Sequence, residues 1–334
     1  MAGKKEITIS DIAKLSGVSN ASVSRVLNHK GIVSPATYEK ILRTLHELNY
    51  PFDEYAAPEP GECGVILLNI PSLENPFYND ITNGVRASAS AHGFQLLVNV
   101  DHVNEASVQQ LIRLVKRVKP LGIIVTNNAP APLLRRLNEN LPVVQCCEYD
   151  AESNLPYVSV DDFAAAQKAV NYLISTGHRK IAFVNGPSYY KYAKERLRGY
   201  LSALEQAGLP CNESWIVQSS AIKFDMALSS VTQLLNLPER PDAFFTVSDV
   251  YAAAVVRAAQ QLGLNVPREV AVVGFDNLDI AKMTNPAITT INQPKFQLGF
   301  TACEMLLDRI DNPESPLQHV LLDTELIVRQ STAF

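Results

Sequence analysis

No stretch of this 334-residue chain holds the roughly 18 consecutive apolar residues that a membrane-spanning helix requires. The Lys4-Lys5-Glu6 start also lacks the apolar core of a secretory signal, so a cytoplasmic protein is expected, with no membrane partner. Cysteine is scarce: the five residues 63, 146, 147, 211 and 303 are odd in number and show neither CxxC nor Cys/His ligand spacing. That excludes a disulfide framework and a zinc site and predicts reduced, mostly buried thiols. The signatures of common catalysts are missing too. No GxGxxG follows the first apolar strand, and no GxxxxGK[ST], GxSxG or HExxH occurs anywhere. The scattered Ser, His and Asp residues form no triad order. No catalysis, no cofactor and no metal are therefore expected. The net charge of −5 is wrong for a protein that coats nucleic acid over its whole surface.

The charge that is present is unevenly placed. Residues 1–50 carry seven Lys/Arg against four acids, a mildly basic head on an acidic body, which suits contact with phosphates at one end only. That head contains the stretch Thr8 to Asn28. Thr8 can cap a helix whose Ile9, Ile12, Ala13 and Ser16 share one face, and Gly17 supplies the left-handed residue that ends it. Ser19 caps a second helix with Val23, Val26 and Leu27 on its buried side. Its opposite face carries Ala21, Ser24, Arg25 and Asn28. Two short helices joined by a glycine turn, the second with a small, polar, singly basic outer face, describe a helix-turn-helix. Small side chains let such a helix sit deep in a major groove, where Asn20, Arg25 and Asn28 reach base edges or phosphates. Thr8, Ser19, Ala21, Ser22, Ser24 and His29 complete the predicted DNA-facing set. The competing reading is a small helical subdomain with a solvated face, but such faces rarely lack Glu and Lys so completely.

Ser34-Pro35 then starts a third helix, with Tyr38, Ile41, Leu42, Leu45 and Leu48 as its apolar stripe. The acidic, proline-containing segment 52–62 reads as a linker between a head at 1–51 and a body at 63–334. In the body, apolar strand-like runs (64–70, 94–100, 121–125, 142–146, 180–185, 243–247, 270–274, 289–291) alternate with amphipathic stretches near 78–92, 104–118, 131–139, 162–176, 193–207, 225–236, 249–262 and 295–310. The fold class is α/β: parallel, doubly wound sheets with helices on both faces. Eight such units exceed one comfortable sheet, so two lobes are expected, dividing near Val158–Asp161. Ligands of such folds sit beyond the carboxyl ends of the strands, here in a cleft between lobes.

The whole chain resembles the LacI/GalR family of transcriptional regulators. The resemblance is carried by Thr8-Ile9-x-Asp11-Ile12-Ala13, by Gly17-Val18-Ser19-x-x-Ser22-Val23-Ser24-Arg25-Val26-Leu27-Asn28, by Val33-Ser34-x-x-Thr37 and by Leu48-Asn49-Tyr50. In the body it rests on Asn75-Pro76-Phe77-Tyr78, Gly177-His178-Arg179-Lys180-Ile181, Arg196-Leu197-x-Gly199-Tyr200, Ser248-Asp249, Val273-Gly274-Phe275-Asp276-Asn277 and Pro286-Ala287-Ile288-Thr289-Thr290-Ile291. It implies a three-helix DNA-binding head, a hinge and a two-lobe effector domain like periplasmic binding proteins. Crossings near 292 and 320 would give lobes of about 63–160 plus 292–320 and 161–291 plus 321–334. It further implies a homodimer reading palindromic double-stranded operator DNA, with repression as the expected action. The end at Thr332-Ala333-Phe334 carries no heptad segment, so a dimer rather than a tetramer is expected.

The resemblance also points to effector contacts. Asp276 follows an apolar strand, where a carboxylate can accept hydrogen bonds from ring hydroxyls; a helix cap is the alternative. Arg196 resembles the family's effector clamp, against a surface ion pair. Phe77 resembles its aromatic wall, against packing between lobes. Tyr190 and Tyr192 lie in a loop that approaches the ligand in relatives and can stack on a ring, against an ordinary exposed loop. Ser248 is a candidate ligand contact beside Asp249, which reads as a cap. Cys147, with Cys146 at a strand end, faces a cavity or packs. Asp161 reads as a cap and His178 as structural. These groups fit a neutral ring with vicinal hydroxyls: a pentose, nucleoside or hexose. The runs Glu148–Val158 and Ala169–Leu173 look most like the nucleoside- and ribose-responsive branch. One departure stands out. The hinge stretch Pro51-Phe52-Asp53-Glu54-Tyr55-Ala56-Ala57-Pro58 has two acids and neither the Leu wedge nor the basic residue that family hinges carry, so minor-groove wedging is not transferred. A sugar receptor of the same fold without DNA regulation is the alternative function; it would need a signal peptide and no basic head.

Overall fold

Three capped helices open the chain. The computed structural model describes residues 7–27, 33–48, 50 and 64–333; Asn28, His29, Lys30, Cys63 and the linker 52–62 lie outside them. Helix α1 (Ile9–Ser16) begins with a capping box, in which Thr8 and Asp11 satisfy each other's backbone N–H groups. It ends at Gly17, φ 68°, a conformation that a β-carbon disfavours. Helix α2 (Asn20–Leu27) starts where the Ser22 N–H donates to Ser19 Oγ at 3.1 Å. Helix α3 (Pro35–Glu47) has Ser34 as its cap, accepting from the Thr37 N–H, with proline at its first position. Ile12, Ala13, Val23, Val26, Ile41, Leu42 and Leu45 form the buried seam of these helices. Ile9, expected on that face, is instead 38% exposed. Helical side chains lean toward the N-terminus, so one in the first turn leans off the end of the helix.

Two compact units follow from the contacts of the chain. The first comprises the described residues to Glu74, Tyr78–Val158 and Lys295–Val320. Beyond the three helices it contains β1 (Val65–Ile70), all but the first residue of α4 (Phe77–Ala91), β2 (Gln95–Val100), α5 (Val108–Val118), β3 (Gly122–Val125), α6 (Ala131–Asn138), β4 (Val143–Cys146) and the first half of β5 (Tyr157–Val160). The second comprises Asn75–Phe77, Ser159–Pro294 and Leu321–Phe334. In it lie α7 (Asp162–Ser175), β6 (Ile181–Asn185), α8 (Lys191–Gln206), β7 (Ile216–Gln218), α9 (Phe224–Leu235), β8 (Ala243–Thr246), α10 (Asp249–Gln261), β9 (Ala271–Asp276), α11 (Asp279–Met283) and β10 (Thr289–Asn292). Helix α12 (Lys295–Asp311) belongs to the first unit, while β11 (His319–Leu322) and β12 (Glu325–Ile327) complete one sheet each.

The strand orders are β2-β1-β3-β4-β5-β11 and β7-β6-β8-β9-β10-β12. Both have the first strand inside, its successor on one flank and the third strand on the other, so both carry a topological switch point beside that first strand. The paired strands are parallel throughout the five-strand cores, with β12 antiparallel to β10. This is the expected α/β, doubly wound class. Strands β5, β7, β11 and β12 and the short α11 were not legible as elements. Three of these strands border their sheets or carry exposed residues, and short half-exposed strands show too little hydrophobic patterning to read. Among the described residues no helix is long and apolar enough to cross a membrane, and no His, Cys, Asp or Glu cluster could hold a metal.

Candidate functional site

The outer face of α2 is built as its sequence pattern requires. Ser19, Asn20, Ala21 and Arg25 are exposed, and Ser22 and Ser24 are half-buried. Ser22 Oγ lies 2.9 Å from Ser19 Oγ, so this serine helps hold the helix start as well as facing outward. Thr8 is exposed but engaged, its hydroxyl donating to Asp11 Oδ2 at 2.7 Å. The predicted contacts Asn28 and His29 lie outside the described residues.

A second constellation sits in the second unit, at the carboxyl ends of its strands. Asp161 caps α7, its Oδ1 accepting from the Ala164 N–H at 2.9 Å. Its neighbour Asp162 turns inward instead and is buried. Lys191 Nζ lies 2.7 Å from Asp162 Oδ2, and Arg196 donates to Asp162 Oδ1 from Nε at 2.9 Å. Burial works to raise the Asp162 carboxyl; the Arg196 and Lys191 charges and hydrogen bonds outweigh it and hold the group below its ordinary 3.8. Arg196 is the centre of this group. Its Nη1 donates to the Val247 carbonyl at 2.7 Å and stands 4.0 Å from Asp276 Oδ1. Its guanidinium carbon lies 3.5 Å from the Phe275 ring centroid and 4.9 Å from that of Tyr192, a stacked and buried placement that suits arginine far better than lysine. The surface ion pair weighed as an alternative for Arg196 is thus ruled out: the pair is buried.

Asp276 ends β9 with φ 101°, and Asn277 follows at φ 52°. Two successive non-glycine residues in the left-handed region are strained, and such strain persists only where the surroundings impose it. Here Gln293 donates to Asp276 Oδ1 at 2.7 Å, Asn277 donates to Asn292 Oδ1 at 3.0 Å, and Arg329 donates to Asn277 Oδ1 at 2.7 Å. Asp276 does not cap α11, whose preceding residue is Leu278. The expectation that Asp249 caps α10 is corrected: Ser248 is the cap, its Oγ accepting from the Val250 N–H. Asp249 is fully buried and accepts from the Leu278 N–H at 2.7 Å and Thr290 Oγ1 at 2.6 Å. It pins the turn that carries Asp276. A β-carbon at Gly274 would collide with its carboxylate, so glycine is required there.

Tyr190 is buried and precedes α8, while Tyr192 lies in the first turn of that helix rather than in a loop. Their rings stack at 5.2 Å. The helix starts earlier than its pattern suggests because Lys191 and Arg196 both reach Asp162 from its first two turns. Phe77 opens α4, buried, its N–H donating to Asn75 Oδ1. Cys147 follows β4 in the first unit, half-buried. His178 holds Asp242 at 3.4 Å and is structural. Thiol burial is mixed: Cys146 and Cys303 are buried, Cys147 is half-buried and Cys211 is exposed, against the expectation of mostly buried cysteines.

Sequence reasoning missed Asp162. The Asp161-Asp162 doublet at a helix start is the available signal, but which of the two turns inward depends on Arg196. It also missed a buried amide cluster at the switch point of the first unit. There Asn69 and Asn127 bond each other, and Asn127 donates to the Asp101 carbonyl at 2.9 Å. Single asparagines at strand ends carry no recognisable pattern.

A helix-turn-helix attached to two parallel-sheet units, the second with a charged and aromatic cluster at its own strand ends, defines a transcriptional regulator with a candidate effector site. Residues 8–51 match bacterial regulatory proteins of the lacI family, and residues 170–332 match the periplasmic binding protein-like domain. The chain is 31% identical to the HTH-type transcriptional repressor CytR of Escherichia coli K12, over 99% of both chains. A solved transcriptional regulator CelR–cellobiose complex is 29% identical with a TM-score of 0.73, covering 98% of this chain and 100% of that one. A LacI-family regulator from Enterococcus faecium with bound ribose is 25% identical with a TM-score of 0.72, covering 80% and 98%. The chain belongs to the LacI family of bacterial transcriptional regulators. It is a DNA-binding transcriptional regulator, and its relatives CytR and PurR are transcriptional repressors rather than enzymes.

Proposed function

We propose that this regulator works as a homodimer on palindromic operator DNA and that its effector is an uncharged ring bearing vicinal hydroxyls, a pentose, nucleoside or hexose. The observation that carries the effector class is the charge balance of the second unit's cluster. Asp162 and Asp276 face Lys191 and Arg196, two acids against two bases. Three of the Arg196 contacts are already made to Asp162 and the Val247 carbonyl. An anionic ligand would meet no net positive charge and would have to break a buried pair, which is costly. Hydroxyls need only donate to Asp276 and accept from Arg196, while ring faces stack on Tyr190 and Tyr192. Phe77 and Ser248, both in the second unit, complete the proposed contact set there; Cys147, in the first unit, is a separate candidate. The cellobiose- and ribose-bound relatives support the same class of ligand.

A thermal-shift screen tests this reading. A pentose, nucleoside or hexose at 100 times its dissociation constant stabilises the protein by about 2.7 kcal/mol, whereas the corresponding sugar phosphates shift it little. A phosphate ester that stabilises more than its parent sugar overturns the neutral-ligand assignment. With the hit in hand, Asp276→Ala should weaken binding by on the order of 2–4 kcal/mol in calorimetry, because ligand donors lose their acceptor inside a desolvated site. Unchanged affinity moves the ligand elsewhere.

The dimer follows from the geometry of the reader. One recognition helix contacts one half-site, and a two-fold pair places two helices roughly 34–36 Å apart, one turn of DNA. Sedimentation at micromolar concentration should give twice the 36.7 kDa chain mass. A stable monomer sinks the palindrome reading.

A further inference from the structure

Strand β4 ends at Cys146, and the adjacent Cys147 leaves the strand conformation. Cys146 is fully buried and lies in register with Val158. Cys147 has φ 69°, and the Glu148 N–H donates to the Cys146 carbonyl at 2.9 Å. That bond closes a γ-turn across Cys147, and with a positive φ at its centre the turn is the rare, strained form. The Cys147 N–H is meanwhile held by the Val158 carbonyl at 2.9 Å, so the neighbouring strand imposes the conformation. Successive side chains of a regular strand point to opposite faces. The turn cancels that alternation and leaves the two Sγ atoms 3.6 Å apart.

We propose that Cys146 and Cys147 form a redox-active vicinal dithiol, a modification site that a peroxide closes to a disulfide. The half-buried Cys147 gives its proton to solvent and the thiolate attacks the peroxide: the S–O bond forms, the O–O bond breaks, and the sulfenic acid results while the leaving hydroxide takes a proton from solvent to become water. The Cys146 thiol then attacks that sulfur; the S–S bond forms, the S–O bond breaks and a second water leaves. Two thiols are oxidised and one peroxide is reduced by two electrons. Adjacent Cα atoms lie about 3.8 Å apart across a trans peptide, short of the roughly 4.4–6.8 Å of ordinary disulfides. The closed ring is therefore strained and easily reduced, the behaviour of a regulatory rather than a structural bridge. Burial pushes the Cys303 thiol up to about 12, which keeps it protonated and inert.

The test is thiol mapping of the full chain, and it stands apart from the assignment of Cys147 to the effector site. Reduced protein is treated with equimolar hydrogen peroxide, denatured, alkylated with N-ethylmaleimide and digested. The peptide bearing residues 146 and 147 should lose at least nine-tenths of its alkylation at both positions and be lighter by two hydrogens, and dithiothreitol should restore it. In Cys147→Ser, Cys146 should stay alkylatable after the same treatment; the melting temperature checks that this variant is folded, and the wild-type map decides the matter if it is not. Retention of both thiols in the wild type under conditions that oxidise the exposed Cys211 overturns the proposal. So does a bridge from either residue to another cysteine.

Discussion

Arg25→Ala should cost the specific operator complex roughly 2–6 kcal/mol while lowering nonspecific binding only modestly. Arg25 is the one cation on α2 and is exposed there, among side chains small enough to let the helix enter a major groove. A guanidinium bonded to both acceptors of a guanine discriminates by about 1–3 kcal/mol, and a symmetric dimer loses that contact twice. A phosphate contact would instead weaken all sequences alike and lower the salt dependence by about one unit per contact. Titrating the variant against operator and scrambled duplexes at two salt concentrations separates these cases. If the operator-to-scrambled ratio is fully retained, Arg25 is a phosphate anchor and not a base reader.

Arg196→Ala should destabilise the second unit by about 3–5 kcal/mol at neutral pH, the usual cost of leaving one member of a buried ion pair alone. The substitution removes the principal counter-charge of Asp162, the donor to the Val247 carbonyl and the group stacked on Phe275. Arg196→Lys should recover only part of this, because one ammonium cannot reproduce the fork geometry. The pH dependence has a definite sign. In the wild type the Asp162 carboxyl is held below 3.8, so its stabilising contribution is present above the unfolded value and lost as pH falls through the folded one. In the alanine variant burial is opposed by Lys191 alone, so the same group rises relative to the wild type and protonation costs the variant less. The stability gap measured by urea denaturation should therefore be widest near neutral pH and narrow below the ordinary 3.8. A gap that stays constant or widens in acid would falsify the buried-pair account.

The caps of the three head helices were legible because each is a local matter. Thr8 and Asp11, Gly17, and Ser34 with Pro35 act within four residues of themselves, and the chemistry that starts or stops a helix needs no distant partner. The alternation of strands and helices was legible for a related reason: a strand buried on both faces reads as an apolar run, as in residues 65–68 and 271–275. Edge elements such as β7 and β12 escaped because solvent on one side erases that run.

The site divides along the same line. Asp276 and Arg196 could be singled out by the motifs that contain them, but their environment could not. That Arg196 is buried, stacked on Phe275 and bonded to Asp162 rather than Asp161 depends on residues 34 positions apart in the chain. The exchange of roles between Ser248 and Asp249 depends likewise on Leu278 and Thr290 reaching back to Asp249. Sequence by itself determined the helix-turn-helix, the α/β class and the family, because patterning and capping are set within a few residues. Only the tertiary structure decided which carboxylate turns inward, which residue caps and where two thiols meet. Those outcomes belong to partners brought together by sheet order and burial, which no local pattern encodes.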